Sequence, residues 1–243
     1  YSAFNITGRD NLTVVGDGTG FGARVNSFDD YWYVTKNAMC YIGGSSGITI
    51  DNLIFIYEAD PPLDASSAIH VSGTTDCAIN NVDINGPHFA GISDYQGFGI
   101  QVGSVMSSVS ISDSSIYNCN IGVYAHSGSD VAVDNCSITG GYSDPSYEST
   151  GMYVTSAQVV VSGTQIDGHC RCSGGSAPQP AEGSWMGIEG VGIYCGSASD
   201  VTVQGCCDIF DNEVGIYTVG DWEDSAPPSP EGVARASLVA NGN

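Results

Sequence analysis

The chain reads as an all-β solenoid, a stack of short parallel strands with three strands to each turn. Two repeating patterns and one column of turn residues predict it. A glycine-led strand recurs five times, as Gly99-Ile-Gln-Val, Gly122-Val-Tyr-Ala, Gly151-Met-Tyr-Val, Gly192-Ile-Tyr-Cys and Gly215-Ile-Tyr-Thr. Positions 99 and 122, like 192 and 215, lie 23 residues apart. A period of that length accommodates three short strands and not a helix pair, and the longer intervals read as coils with loops spliced in.

A second strand follows each glycine strand and alternates with period two. It is written Ile48-Thr-Ile50, Cys77-Ala-Ile79, Val109-Ser-Ile111, Val131-Ala-Val133, Val159-Val-Val161 and Val201-Thr-Val203. Alternate residues therefore face one core. Two residues further on stand Asn52, Asn81, Asp113, Asn135, Gly163 and Gly205, the residue types that best tolerate a left-handed backbone. They predict a turn repeated in register. A third short strand then points inward at Leu53 and Phe55, Val82 and Ile84, Ser114 and Ile116, Cys136 and Ile138, and Thr164 and Ile166. The seventh coil slips by one residue and ends at Ile209.

With these strands and this column, the chain resembles the right-handed parallel β-helix proteins of the pectin-lyase-like superfamily, with their three sheets and asparagine ladder. Asn11-Leu-Thr-Val-Val-Gly-Asp-Gly18 and Gly47-Ile-Thr-Ile-Asp-Asn-Leu-Ile-Phe55 are similar to the opening coils of that group. The resemblance covers nearly the whole chain and implies a right-handed single-stranded parallel β-helix of about eight coils. It specifies a scaffold rather than a reaction. Residues 1–243 are expected to form one domain, with insertions at 58–67, 87–98, 141–150, 170–191 and 220–232. Val233 to Asn243 look like strands of an eighth coil with nothing after them, so either the chain is cut from a longer polypeptide or its open β-helix ends are expected to meet other subunits, with self-assembly the leading form.

Charge narrows the partners. Twenty-seven acidic residues against five basic give a net charge of −22, and Lys36 is the one lysine. Nucleic acid and anionic membranes are therefore poor partners, and no apolar run approaches the roughly 20 residues that span a bilayer. Nine cysteines point to an oxidising compartment. Cys77, Cys136, Cys195 and Cys206 read as small inward residues, while Cys119, Cys170, Cys172 and Cys207 read as disulfide candidates at turns and outward positions. His169-Cys-Arg-Cys172 offers three zinc-type ligands but lacks a second cluster at finger spacing. Acceptor sequons stand at Asn5, Asn11 and Asn135. Asn135 falls in the turn column, so glycans are expected at Asn5 or Asn11, in keeping with an extracellular or cell-surface protein.

In the enzymes that the chain resembles, substrate lies on the outside of the first sheet. The outward residues there read His70, Gln101, Tyr124, Tyr153, Tyr194 and Tyr217, and the next outward column reads Ser72, Gly103, His126, Thr155, Gly196 and Val219. Neither column holds a carboxylate, a lysine or an arginine. Glycosidic hydrolysis needs two carboxylates at set separation, and uronate lysis needs a base with cations or calcium, so no catalytic residue is assigned. The four tyrosines are expected about 4.8 Å apart as an outward aromatic ladder. With His126 and Trp185 they form the candidate contact strip for a glycan or a protein partner.

The loops ahead of that strand bring Asp60, Asp64, Asp94, Asp144, Glu148, Glu182 and Glu189 beside the strip. No cofactor is expected. Calcium is the one ion these acids would suit, yet no loop carries a calcium motif. His88 and His169 read as solvated or locally bonded loop histidines. The sequence thus points to an extracellular structural or adhesive module within a larger surface assembly or filament. The alternative is a polysaccharide lyase or glycoside hydrolase that uses loop acids such as Asp94, Asp144 or Glu148.

Overall fold

The computed structural model describes residues 4–16, 23–26, 38–56, 66–86, 97–140, 149–169, 190–212, 214–218 and 238–241. These residues wind through three parallel sheets and contain no helix, so none is long and apolar enough to cross a membrane. Sheet 1 stacks Phe4–Thr7, Ala38–Gly43, Ser66–Ser72, Gly97–Gly103, Ile121–His126, Thr150–Thr155, Val191–Cys195 and Val214–Thr218. Sheet 2 also has eight strands, from Thr13–Val15 to Leu238–Asn241, and sheet 3 has seven, from Ala23–Asn26 to Asp208–Phe210. Each strand pairs with its counterpart one coil away, which is the expected parallel solenoid of eight coils.

Like residues meet like because the register never drifts. Ile100 pairs with Val123, Val123 with Met152, and Met152 with Ile193 on sheet 1. On sheet 3, Ile84, Ile116, Ile138, Ile166 and Ile209 form one line. These columns fill the interior with aliphatic side chains, most of them wholly removed from water. Every inward residue expected on the third strands, from Leu53 to Ile166, is buried.

The repeated glycine has a packing cause. A Cβ on Gly122 would lie 2.4 Å from the Ile138 side chain and 2.6 Å from the carbonyl oxygen of Gly151. On Gly151 it would meet Ile166 at 2.5 Å and the Gly192 carbonyl at 2.4 Å. The glycines stack at the corner between sheets 3 and 1, where backbone crosses backbone and no side chain fits.

Turns are in register too. Asn52, Asn81, Asp113, Asn135, Gly163 and Gly205 all have φ between 50° and 68°, as their types required. Asn81 Nδ2 donates to Asn52 Oδ1 at 3.2 Å, and Asn135 Nδ2 to Asp113 Oδ1 at 2.5 Å. Buried hydroxyls close the corners between coils. Ser107 Oγ donates to its own coil at Gly103 O (2.6 Å) and accepts the Gly73 N–H of the previous coil (2.9 Å). Ser45 and Ser114 make the same two-way link, which keeps turn backbone groups satisfied away from water.

Several sequence expectations need correction. Cys119 and Cys207 are free thiols, not bridged, and Cys119 is 2 % exposed within the interior cluster. Its sulfur occupies space that Gly86 leaves open, which a reading by turn position could not reveal. Cys206 and Cys207 exchange their expected places. Asp208 and Ile209 pair with Gln165 and Ile166, so the inserted residue of coil seven is Cys206, which is exposed, while Cys207 packs against the core. Cys170 and Cys172 lie outside the described residues.

His169 is not solvated. It is 2 % exposed, and both ring nitrogens are engaged, Nδ1 with Ser149 Oγ at 3.2 Å and Nε2 with the Ile138 carbonyl at 3.3 Å. A carbonyl only accepts, so Nε2 carries the proton and Nδ1 accepts from the serine. That leaves no lone pair for a metal. Burial outweighs the bond to Ile138 and the field of Asp167, and holds the ring down at a pKa of about 4.

The strands also start slightly earlier than expected, taking residues 66–67, 97–98, 150 and 191 from the insertions. Ser149 and Gly190 are described as well, while His88 and the rest of the insertions lie outside the described residues.

Candidate docking face

The outer side of sheet 1 is built from two facts of strand geometry. Side chains alternate across a strand, and in-register parallel pairing puts each outward residue above its counterpart. Tyr124 pairs with Tyr153, Tyr153 with Tyr194, and Tyr194 with Tyr217. Ring centroids along this ladder are 5.3, 4.8 and 5.5 Å apart. The column continues the other way through Gln101, His70, Tyr41 and Asn5. Tyr41 went unnoticed in the sequence because no tyrosine-bearing repeat flanks it.

The rings do not lie open as a paved surface. Tyr124 is 9 % exposed and Tyr194 5 %, and neighbouring planes are inclined by only 18° to 38°. Each inner ring therefore turns its faces to the rings above and below, and not to solvent. Phe98 stacks on Tyr124 at 5.2 Å, and Ile121 and Val191 join the same cluster. These three stand immediately before the motif glycines, a position that alternation counted from the glycine does not mark. The alternation reverses at the glycine, so Phe98 and Ile121 belong to the outer cluster although Ile100 and Val123 two residues on belong to the inner one.

Burial pushes the Tyr124 and Tyr153 phenols up, and Tyr194 rises to about 12, with its neighbours Tyr153 and Tyr217 adding to the effect. Tyr124, Tyr153 and Tyr194 are thus uncharged at any physiological pH. His126 stacks on Tyr124 at 4.4 Å, and burial lowers its pKa. Gln101 Nε2 stands 3.3 Å from His126 Nε2, and Ser67 Oγ donates to Gln101 Oε1 at 2.9 Å. The face thus has an aromatic stretch from Tyr124 to Tyr217 and a polar stretch around Gln101 and His126.

Trp185 and the loop acids Asp94, Asp144 and Glu148 lie outside the described residues. Asn5 and Asn11 are exposed, with Asn5 at the far end of the tyrosine column. Among the described residues, no three His, Cys, Asp or Glu side chains come together as metal ligands.

Such a stack of three parallel sheets around an aliphatic interior defines a parallel β-helix protein. The family described as the right handed beta helix region matches residues 38–221, and the chain belongs to that family. Among curated proteins, none matches in sequence. Among solved structures, the chain is similar to PfbA, a surface adhesin of Streptococcus pneumoniae, with a TM-score of 0.39 and 11 % identity. The likeness covers 89 % of this chain and 62 % of that one, so this chain spans about three fifths of its length.

Proposed function

We propose that the chain is an extracellular or cell-surface β-helix module that docks rather than catalyses, seating an uncharged saccharide along the outer face of sheet 1 within a larger assembly. One observation carries this reading: none of the eight strands of sheet 1 contains Asp, Glu, Lys or Arg. Acids are placed instead on the other sheets, as Asp51, Asp130, Asp134 and Asp200 on sheet 2 and Asp83, Asp167 and Asp208 on sheet 3. A glycosidase needs paired carboxylates and a uronate lyase needs a base with cations, and these strands supply neither pair. With a net charge of −22, the chain also repels anionic chains. The reading includes stacking of copies; Ile209, Val214, Ile216 and Tyr217, on the outermost described strands of sheets 3 and 1, are only partly buried.

Electrophoresis through gels containing a neutral polysaccharide (mannan, xyloglucan) or polygalacturonate tests it, together with assays for new reducing ends and unsaturated uronates. The expected result is retardation in a neutral gel, none in polygalacturonate, and no product. Product release, or free migration in every gel, overturns the reading.

A further inference from the structure

Four polar side chains run as one chain across the polar stretch of sheet 1. Ser67 Oγ meets Gln101 Oε1 at 2.9 Å, Gln101 Nε2 meets His126 Nε2 at 3.3 Å, and His126 Nδ1 meets Ser127 Oγ at 2.8 Å. An amide nitrogen only donates and an amide oxygen only accepts, so the direction of every bond is fixed. Ser67 donates to Gln101, Gln101 donates to His126 Nε2, and His126 donates through Nδ1–H to Ser127. The imidazole is therefore neutral, with its lone pair on Nε2.

The ring is held in that pose. A Cβ on Gly103 would lie 2.5 Å from its Cε1 and 2.6 Å from Nε2, so glycine provides the space over which the ring lies. Tyr124 stacks against it on its own strand. Gln101 and Gly103 stand on the strand before, and Tyr153 and Thr155 on the strand after. Apart from the neutral phenols of Tyr124 and Tyr153, these neighbours carry no titratable group and no charge. Among the described residues, the Gln101 amide is the group that answers directly to a proton on Nε2.

We propose that Gln101 and His126 form an acid-responsive switch, in which a proton arriving on Nε2 turns the Gln101 amide over and exchanges the donor and acceptor that the amide presents on the docking face. With Nε2 protonated, two donors would oppose each other. Rotating the amide through about 180° sets Oε1 against the new N–H and sets the amide nitrogen against Ser67 Oγ, whose lone pairs accept it. Both contacts survive, and the free donor and acceptor of Gln101 change places. A ligand held by adjacent hydroxyls at neutral pH meets the reversed pattern in acid. Burial lowers the His126 pKa, which sets the switch on the acid side of histidine's ordinary range. Only the consequence for a ligand rests on the docking reading; the rotation does not.

Nitrogen-15 NMR of the full chain between pH 7.5 and pH 4.5 tests it without any ligand, so its outcome stays separate from the gel experiment. The imidazole shifts are expected to show the Nδ1–H tautomer at pH 7.5, and the Gln101 side-chain amide signals to move with the His126 midpoint. Gln101→Glu places a carboxylate against Nε2 and should raise that midpoint by about one pH unit or more. Gly103→Ala displaces the ring and should uncouple the two titrations. An Nε2–H tautomer at pH 7.5, a Gln101 amide that stays still through the His126 midpoint, or a His126 that remains neutral until the protein unfolds overturns the switch.

Discussion

Two apolar clusters sit on opposite sides of the same strands of sheet 1. The inner one is aliphatic, draws on all three sheets and reaches zero exposure at Ile100, Val123, Met152 and Ile193. The outer one is aromatic, draws on sheet 1 alone and holds Phe98, Ile121, Tyr124, Val191 and Tyr194. Inside, each side chain is surrounded by three walls of the coil, so shape and volume decide the packing. Outside, each ring is held by the rings of the coils above and below, so the contacts form a line. From Tyr124 to Tyr217 the strands therefore carry stacked rings on the side where alternation usually puts polar residues.

The most damaging way to break the inner arrangement is Gly122→Val. Its Cβ would overlap Ile138 and the Gly151 carbonyl, and backbone cannot move aside cheaply. A loss of about 3 kcal/mol or more, or failure to fold, is expected from denaturant titration.

A comparable effect is expected from acid at His169, which sits at the corner below the glycine column. The folded pKa is about 4, and the unfolded value is about 6.5. Between these values the unfolded chain binds the proton and the folded chain does not. Stability is therefore full above about pH 6.5 and falls as pH drops through that window, by about 3 kcal/mol in all. His169→Gln keeps a donor for Ile138 and an acceptor for Ser149 but removes the titration. Its midpoints at pH 7 and pH 4.5 should differ less than those of the parent chain, and equal differences would show that His169 already binds its proton normally.

The smallest change should come from the ladder. Tyr153→Leu keeps an apolar side chain and loses two ring contacts, at 5.3 and 4.8 Å. A cost of about 1–2 kcal/mol is expected in the same titration, well below that of Gly122→Val. An equal or larger loss would show that the outer cluster carries as much of the fold as the interior does.

Much of this was legible before any coordinates. The inward columns, the left-handed turn at Asn52 through Gly205 and the pairing of Tyr124 with Tyr153, Tyr194 and Tyr217 follow from a fixed period and strand alternation. Three features did not follow. The outward position of Phe98 and Ile121 goes with a reversal of the alternation at the motif glycine, which a fixed period of two does not contain. The burial of Cys119 depends on the space left by Gly86 one coil away. The Ser67–Gln101–His126 chain joins residues 25 and 34 positions apart, and no motif marks that spacing.

The repeat by itself determined the solenoid, its three sheets, its register and the absence of charged side chains from one of them, because stacking turns a period in the chain into columns in space. Only the tertiary structure decided which way the rings turn, which thiols lie inside, and how His126 and His169 are protonated. Those depend on distances between neighbouring coils, and on how much water each coil excludes from the next, neither of which a one-dimensional pattern contains.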